Sequence, residues 1–162
     1  MSDLNKTHIK SVMSRSGRGV FALALYLLGD KDKAYNTAAI AFAGVMRGVS
    51  GLEKEETVVD SVIKAVVEKC RQTKIIATSG ALDQDFAALP PFERESLKTV
   101  NIALQRLPYE QKALVLLRDQ LHLPYRRIAG ILNLALANTK IKTNEARIEL
   151  RDIIKGILDH GR

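Results

Sequence analysis

The chain has 162 residues, 46% of them apolar, and 25 Lys/Arg against 18 Asp/Glu give it a net charge of +7. That length and apolar content bury a core in one compact unit or two small ones, which excludes a disordered chain. A single cysteine, Cys70, and three scattered histidines exclude a disulfide framework and a Cys/His zinc site, and no apolar run reaches the ~20 residues of a membrane span.

In chain order, Met1 to Val20 is polar with scattered Lys and Arg and lacks an apolar signal core, so a cytoplasmic protein is expected. Val20 to Leu28 (VFALALYLL) is apolar on nearly every side and predicts a helix buried among others. Gly29 suits the residue after a helix end, and Asp30 suits the N-cap of the next helix. That helix, Asp32 to about Arg47, is Ala-rich and carries Ile40, Phe42, Val45 and Met46. After GVSGLEKEE, the run TVVDSVIKAVVEKCRQ places Val59, Val62, Ile63, Val66, Val67 and Cys70 at helical spacing. Its Lys64, Lys69 and Arg71 read first as a solvated face.

Thr73 to Pro91 mixes Gly, Ser, Asp and Pro without a sustained period and reads as a linker, whose Ile75, Ile76, Phe86 and Leu89 suit docking on a partner surface and folding back onto the protein itself equally well. From Phe92, a helix with Leu97, Val100, Leu104 and Leu107 on one stripe follows. Pro108 then opens a helix that ends near His122, and Pro124 opens another carrying Ile128, Ala129, Ile131 and Leu132. Asn133 tolerates the left-handed backbone of a tight turn. Leu134 and Leu136 are expected to plug the corner, and Asn138 to cap a long basic helix with Thr139, Thr143, Ala146, Leu150 and Ile153 inward. The two threonines read as β-branched core positions whose hydroxyls bond back to the helix.

Helix, turn, helix, turn, long basic helix is a DNA-reading layout. Residues 1–72 carry a net +3, residues 73–90 a net −1 and residues 91–162 a net +5. Between Arg126 and Arg147, five basic residues face one acid, Glu145. Such a surplus draws in phosphates, although a solvated helix face explains it equally well. In a helix-turn-helix the second helix enters the major groove by its N-terminal turns, and the first crosses the backbone. That assigns Asn138, Lys140, Ile141, Lys142 and Asn144 to base edges, and Arg126, Arg127 and Arg147 to phosphates.

The series LP, then PYRRIAGIL, a turn, and NTKIKTNEARIELRDII resembles the C-terminal promoter-binding domain of extracytoplasmic-function sigma factors. That family writes S-Y-x-E-I-A-x-x-L-G and then G-T-V-K-S-R-L-x-R-A-R-x-x-L. Tyr125, Ile128, Ala129, Leu132, Lys140, Lys142, Ala146, Arg147 and Leu150 match in type. Asn133, Thr139, Ile141, Thr143 and Glu145 depart from it. Upstream, LYLLGDKDKAYNTAAIAFAGVMR is similar to the family's L-L-G-D-x-x-D-A-E-D-L-x-Q-E-x-F, with Leu28, Gly29, Asp30, Ala34 and Phe42 in frame. The resemblance implies that Asn36, Ala39, Ile40 and Phe42 stand where the family meets RNA polymerase. Tyr35, Asn36, Ala39 and Ile40 replace its acidic and amide side chains there. The segment Val58 to Ala65, which corresponds to W-L-x-x-I-A-x-N, has no aromatic to stack on an unpaired base.

The expectation is therefore an all-α protein: an N-terminal three-helix sigma-like domain (1–72), a linker (73–91) and a C-terminal four-helix domain containing the helix-turn-helix (92–162). The implied partners are DNA and core RNA polymerase, with an anti-sigma factor as a further one. No membrane, small-molecule ligand, cofactor or metal is expected. His8, His122 and His160 lack a local nucleophile or metal-ligand partner, and no phosphate-binding or dinucleotide fingerprint occurs, so an enzyme is not expected. Two other readings stay open. One is a sigma-like mimic that occupies an anti-sigma factor without DNA, and the other is a helix-turn-helix regulator that dimerises through its N-terminal helices.

Overall fold

A computed structural model describes residues 3–73 and 89–161, with side chains from Lys6 onward. The described residues are helical, without a strand. They form α1 (Asp3–Leu28), α2 (Lys31–Met46), α3 (Glu55–Gln72), α4 (Pro91–Arg106), α5 (Tyr109–Val115), α6 (Tyr125–Leu132) and α7 (Leu136–His160). After α5 the coil widens into a π turn over Leu116–Gln120, where the Leu121 amide donates to the Leu116 carbonyl at 3.1 Å. Of the expected linker, residues 74–88 lie outside the described residues, and so do Ile75, Ile76 and Phe86.

Local chemistry sets most element ends. Gly29 stops α1 with φ of 65°, and the Asp30 carboxylate accepts from the Lys33 amide at 3.0 Å to start α2. The α2–α3 loop closes on Glu53, whose carboxylate accepts from the Ser50 and Gly51 amides and the Ser50 hydroxyl. Those bonds, the Ser50 amide first, hold its pKa down at about 2. The α1 helix begins far ahead of VFALALYLL: Ile9, Val12 and Val20 supply a sparse inward stripe, and Val12 is fully buried. Diluted by Lys, Ser and Arg, that stripe does not stand out in the sequence.

The helices α1, α2 and α3 pack mutually, and α7 lies across α4 and α5. One apolar core is continuous from Val12, Leu23 and Leu27 through Val62, Ile63 and Val66 to Leu114, Leu117 and Ile128. The N-terminal and C-terminal helices are thus joined, and two polar seams line the joint. At the first, the C-terminal end of α1 presents carbonyls that its own helix leaves unpaired. The Gln105 amide donates to Tyr26 O at 2.8 Å, and Lys112 Nζ donates to Leu27 O at 3.1 Å and to Gln105 Oε1 at 2.9 Å. A cation at a helix C-terminus also answers the helix dipole. Lys112 is only 2% exposed and has no carboxylate partner among the described residues, so burial pushes its pKa down to about 8. Burial likewise pushes the neighbouring Cys70 thiol up to about 12. Gly29 borders this seam, where its φ of 65° rather than lack of space calls for glycine, since a Cβ on it would lie in ordinary contact with the Gln105 amide at 3.4 Å.

Candidate nucleic-acid interface

Pro108 and Pro124 each stand at the N-cap of a helix, α5 and α6 respectively, and their extended backbone turns the chain into each. Arg118 holds the entry to α6 by donating to Leu123 O at 2.8 Å, with its guanidinium carbon 4.6 Å from the centre of the Tyr125 ring. Asn133 takes the left-handed conformation expected of it, with φ 54° and ψ 50°, and the Leu134 amide returns to Ala129 O at 2.9 Å. The next helix starts earlier than expected. Ala135 is its N-cap, so Asn138 sits inside the first turn as an exposed residue and caps nothing. Ala135 O accepts both the amide and the hydroxyl of Thr139 at 2.9 Å, which fixes that start. Leu134 packs on the core, but Leu136 is exposed and does not fill the corner.

Thr139, Thr143 and Ala146 are fully buried and turn inward. Both hydroxyls bond back one turn, Thr143 to Thr139 O at 2.6 Å. With that side fixed, ~100° per residue sends Ala137, Ile141, Asn144 and Ile148 outward. All four are exposed, Ile141 by 56%. Lys140 and Lys142 differ by two residues, ~200° around the helix, so they do not share one face. Lys140 is exposed and makes no ion pair among the described residues. Lys142 leans back to α5, where its Nζ lies 2.6 Å from Glu110 Oε1.

The three arginines also separate. Arg126 is exposed and unpaired among the described residues. Arg147 forks onto Asp119, with Nε 2.9 Å from Oδ2 and Nη2 on Oδ1. Arg127 reaches out of the helix-turn-helix to α3 and forms the second seam. Its Nε lies 2.9 Å from Asp60 Oδ1, its Nη2 2.5 Å from the same oxygen, and its Nη1 3.2 Å from Glu56 Oε1. The Asp60 hydrogen bonds lead in raising the pKa of Arg127 further, as those to Asp119 do for Arg147. None of these carboxylates was legible as a partner, because each lies 28 to 71 residues from its cation. Lys112 was missed too, and its signal was a lone charge beside the apolar run ALVLL.

On the N-terminal helices, Asn36, Ala39 and Ile40 lie exposed on α2, whereas Phe42 is only 8% exposed and belongs to the core. Beside them an apolar groove of about 610 Å³ opens between α1 and α2, lined by Ile9, Met13, Phe21, Tyr35, Phe42 and Met46. No described helix is long and apolar enough to cross a membrane, and no described group of His, Cys, Asp and Glu is placed to hold a metal ion.

Comparison with curated proteins finds no match. Residues 102–150, from the end of α4 to the middle of α7, match the family model described as Sigma-70, region 4. Over that segment, which is less than a third of its length and holds the helix-turn-helix, the chain is similar to the sigma-70 region 4 family.

Proposed function

We propose that this chain is a sigma factor of the extracytoplasmic-function type that reads an upstream promoter element with α7 and docks on core RNA polymerase through α2. The observation that carries the reading is the outward face of α7, where Lys140, Ile141 and Asn144 are exposed on a helix whose opposite face is anchored by buried threonines. Those side chains suit a guanine edge, a thymine methyl and an adenine edge. Arg126 is the cation best presented to a phosphate. For the polymerase, support comes from Asn36, Ala39 and Ile40 beside an apolar groove, since clustered exposed apolar surface marks binding sites. On this reading residues 1–72 and 92–162 are the two functional units.

Two measurements test it. A duplex selected from a random library is titrated beside a random duplex at two salt concentrations, and the chain is incubated with core polymerase in a pull-down. Lys140→Ala should weaken the selected site by about 1–3 kcal/mol and the random duplex much less. Equal losses would move Lys140 to the phosphate backbone. Capture of neither polymerase nor duplex would instead favour a sigma-like mimic that occupies an anti-sigma factor. The internal pairing of Arg127, Lys142 and Arg147 with carboxylates lends that second reading its support.

A further inference from the structure

We propose that Glu56 and Asp60 of α3 form an acidic clasp on Arg127, so that docking of α3 on α6 and binding of DNA by the helix-turn-helix oppose each other. The inference rests on the DNA-binding reading above and names a regulation of that site.

Arg127 sits in the first turn of α6, the helix that crosses the DNA backbone in a helix-turn-helix. A guanidinium is a rigid fork suited to phosphate and carboxylate alike, and this one is spent on carboxylates. Asp60 takes Nε and Nη2 and Glu56 takes Nη1, so every nitrogen of the fork has a carboxylate within 3.2 Å. Glu56 and Asp60 are one turn apart on α3 and so lie on the same side of it. They bring negative charge to the spot where a phosphate would approach, beside the exposed Arg126. A duplex meeting α6 therefore faces an occupied arginine and two repelling carboxylates.

Arg127 stays 24% exposed at its side chain and Glu56 65%, so water and salt reach the clasp. Contacts farther along α3 add to it, with Tyr109 Oη donating to Val67 O at 2.5 Å and Ile131 buried nearby. A phosphate that captures Arg127 removes the ionic part of this docking. By reciprocity, whatever loosens α3 from α6 strengthens DNA binding by the same factor.

The test uses the full chain with Glu56→Gln and Asp60→Asn together, titrated with a labelled duplex across a salt series. The double variant is expected to bind about 5–10-fold more tightly. Its plot of log affinity against log salt should steepen by about one unit, as one more phosphate contact requires. Adding Arg127→Ala should cancel both gains. Glu93→Gln with Glu95→Gln on α4 removes the same charge elsewhere, and a gain of equal size there would overturn the clasp. Equal binding by wild type and the double variant would also overturn it and leave the DNA reading intact. Absence of duplex binding by both at low salt would sink the DNA reading and the clasp with it. Should the double variant fail to fold, Glu56→Gln alone retains the Asp60 contact and is expected to give about a twofold gain with the same cancellation by Arg127→Ala.

Discussion

The two polar seams that join the N-terminal helices to the helix-turn-helix solve one problem in opposite ways. At the end of α1, Lys112 is buried and answers neutral acceptors, the Leu27 carbonyl and the Gln105 side chain. At α3, Arg127 is partly exposed and answers two full charges. A cation on neutral acceptors in a dry site keeps its desolvation cost and shows little sensitivity to salt, whereas a wet ion pair is screened. The first seam is thus indifferent to salt and the second responsive to it.

Four experiments sharpen or break that contrast. The largest effect is expected from Lys112→Ala, which leaves the Leu27 carbonyl unpaired and opens a cavity. A loss of about 2–4 kcal/mol in urea unfolding is expected, unchanged between low and high salt. A loss that fades with salt would place Lys112 in the same class as Arg127.

Next comes pH. Lys112 is depressed to about 8 in the folded chain, against 10.5 as its ordinary value. Between those values the unfolded chain binds a proton that the folded chain does not, so stability rises with pH through that window. It falls as pH drops from about 10.5 toward 8. Relative to Lys112→Met, the wild type should gain about 2–3 kcal/mol between pH 8 and pH 10.5. The Cys70 thiol, raised from 9 to about 12, lowers stability as pH climbs above about 9, but it does so in both proteins and cancels in their difference. A flat difference between the two proteins would mean that the ammonium is solvated.

Arg127→Ala should cost about 1–2 kcal/mol at low salt, because two half-exposed carboxylates lose their partner, and most of that cost should vanish in high salt. Persistence of the full cost would make the second seam as indifferent to salt as the first.

The smallest effect tests the corner of the first seam. Gly29→Ala puts a side chain on a left-handed backbone, and about 1 kcal/mol of destabilisation is expected. In a Gln105→Ala background the same cost should remain, because the added Cβ would only touch the Gln105 amide. A smaller cost there would mean that the Gln105 side chain crowds Gly29.

The helices themselves were largely legible. Asp30, Pro108, Pro124 and Asn133 act through their own backbone or the next turn, so a linear reading finds them. The inward Thr139, Thr143 and Ala146 follow from helical period once their neighbours are known to be polar. The candidate site was less legible. Lys140 and Lys142 look like one basic patch in a string, yet ~200° of rotation parts them and Glu110 takes one. The resemblance sets Phe42 among the polymerase-meeting positions, but only 8% of it is exposed, at the floor of the groove beside α1.

What the sequence determined by itself is what short-range physics controls: helical period, capping, the left-handed turn and an excess of positive charge near the C-terminus. Tertiary structure alone decided which of those charges remain available. An ion pair forms between side chains brought within about 4 Å, and the carboxylates that claim Arg127, Arg147 and Lys142 come from distant points of the chain. Their positions depend on how α3, α5 and the π turn pack against α6 and α7, which no local pattern encodes.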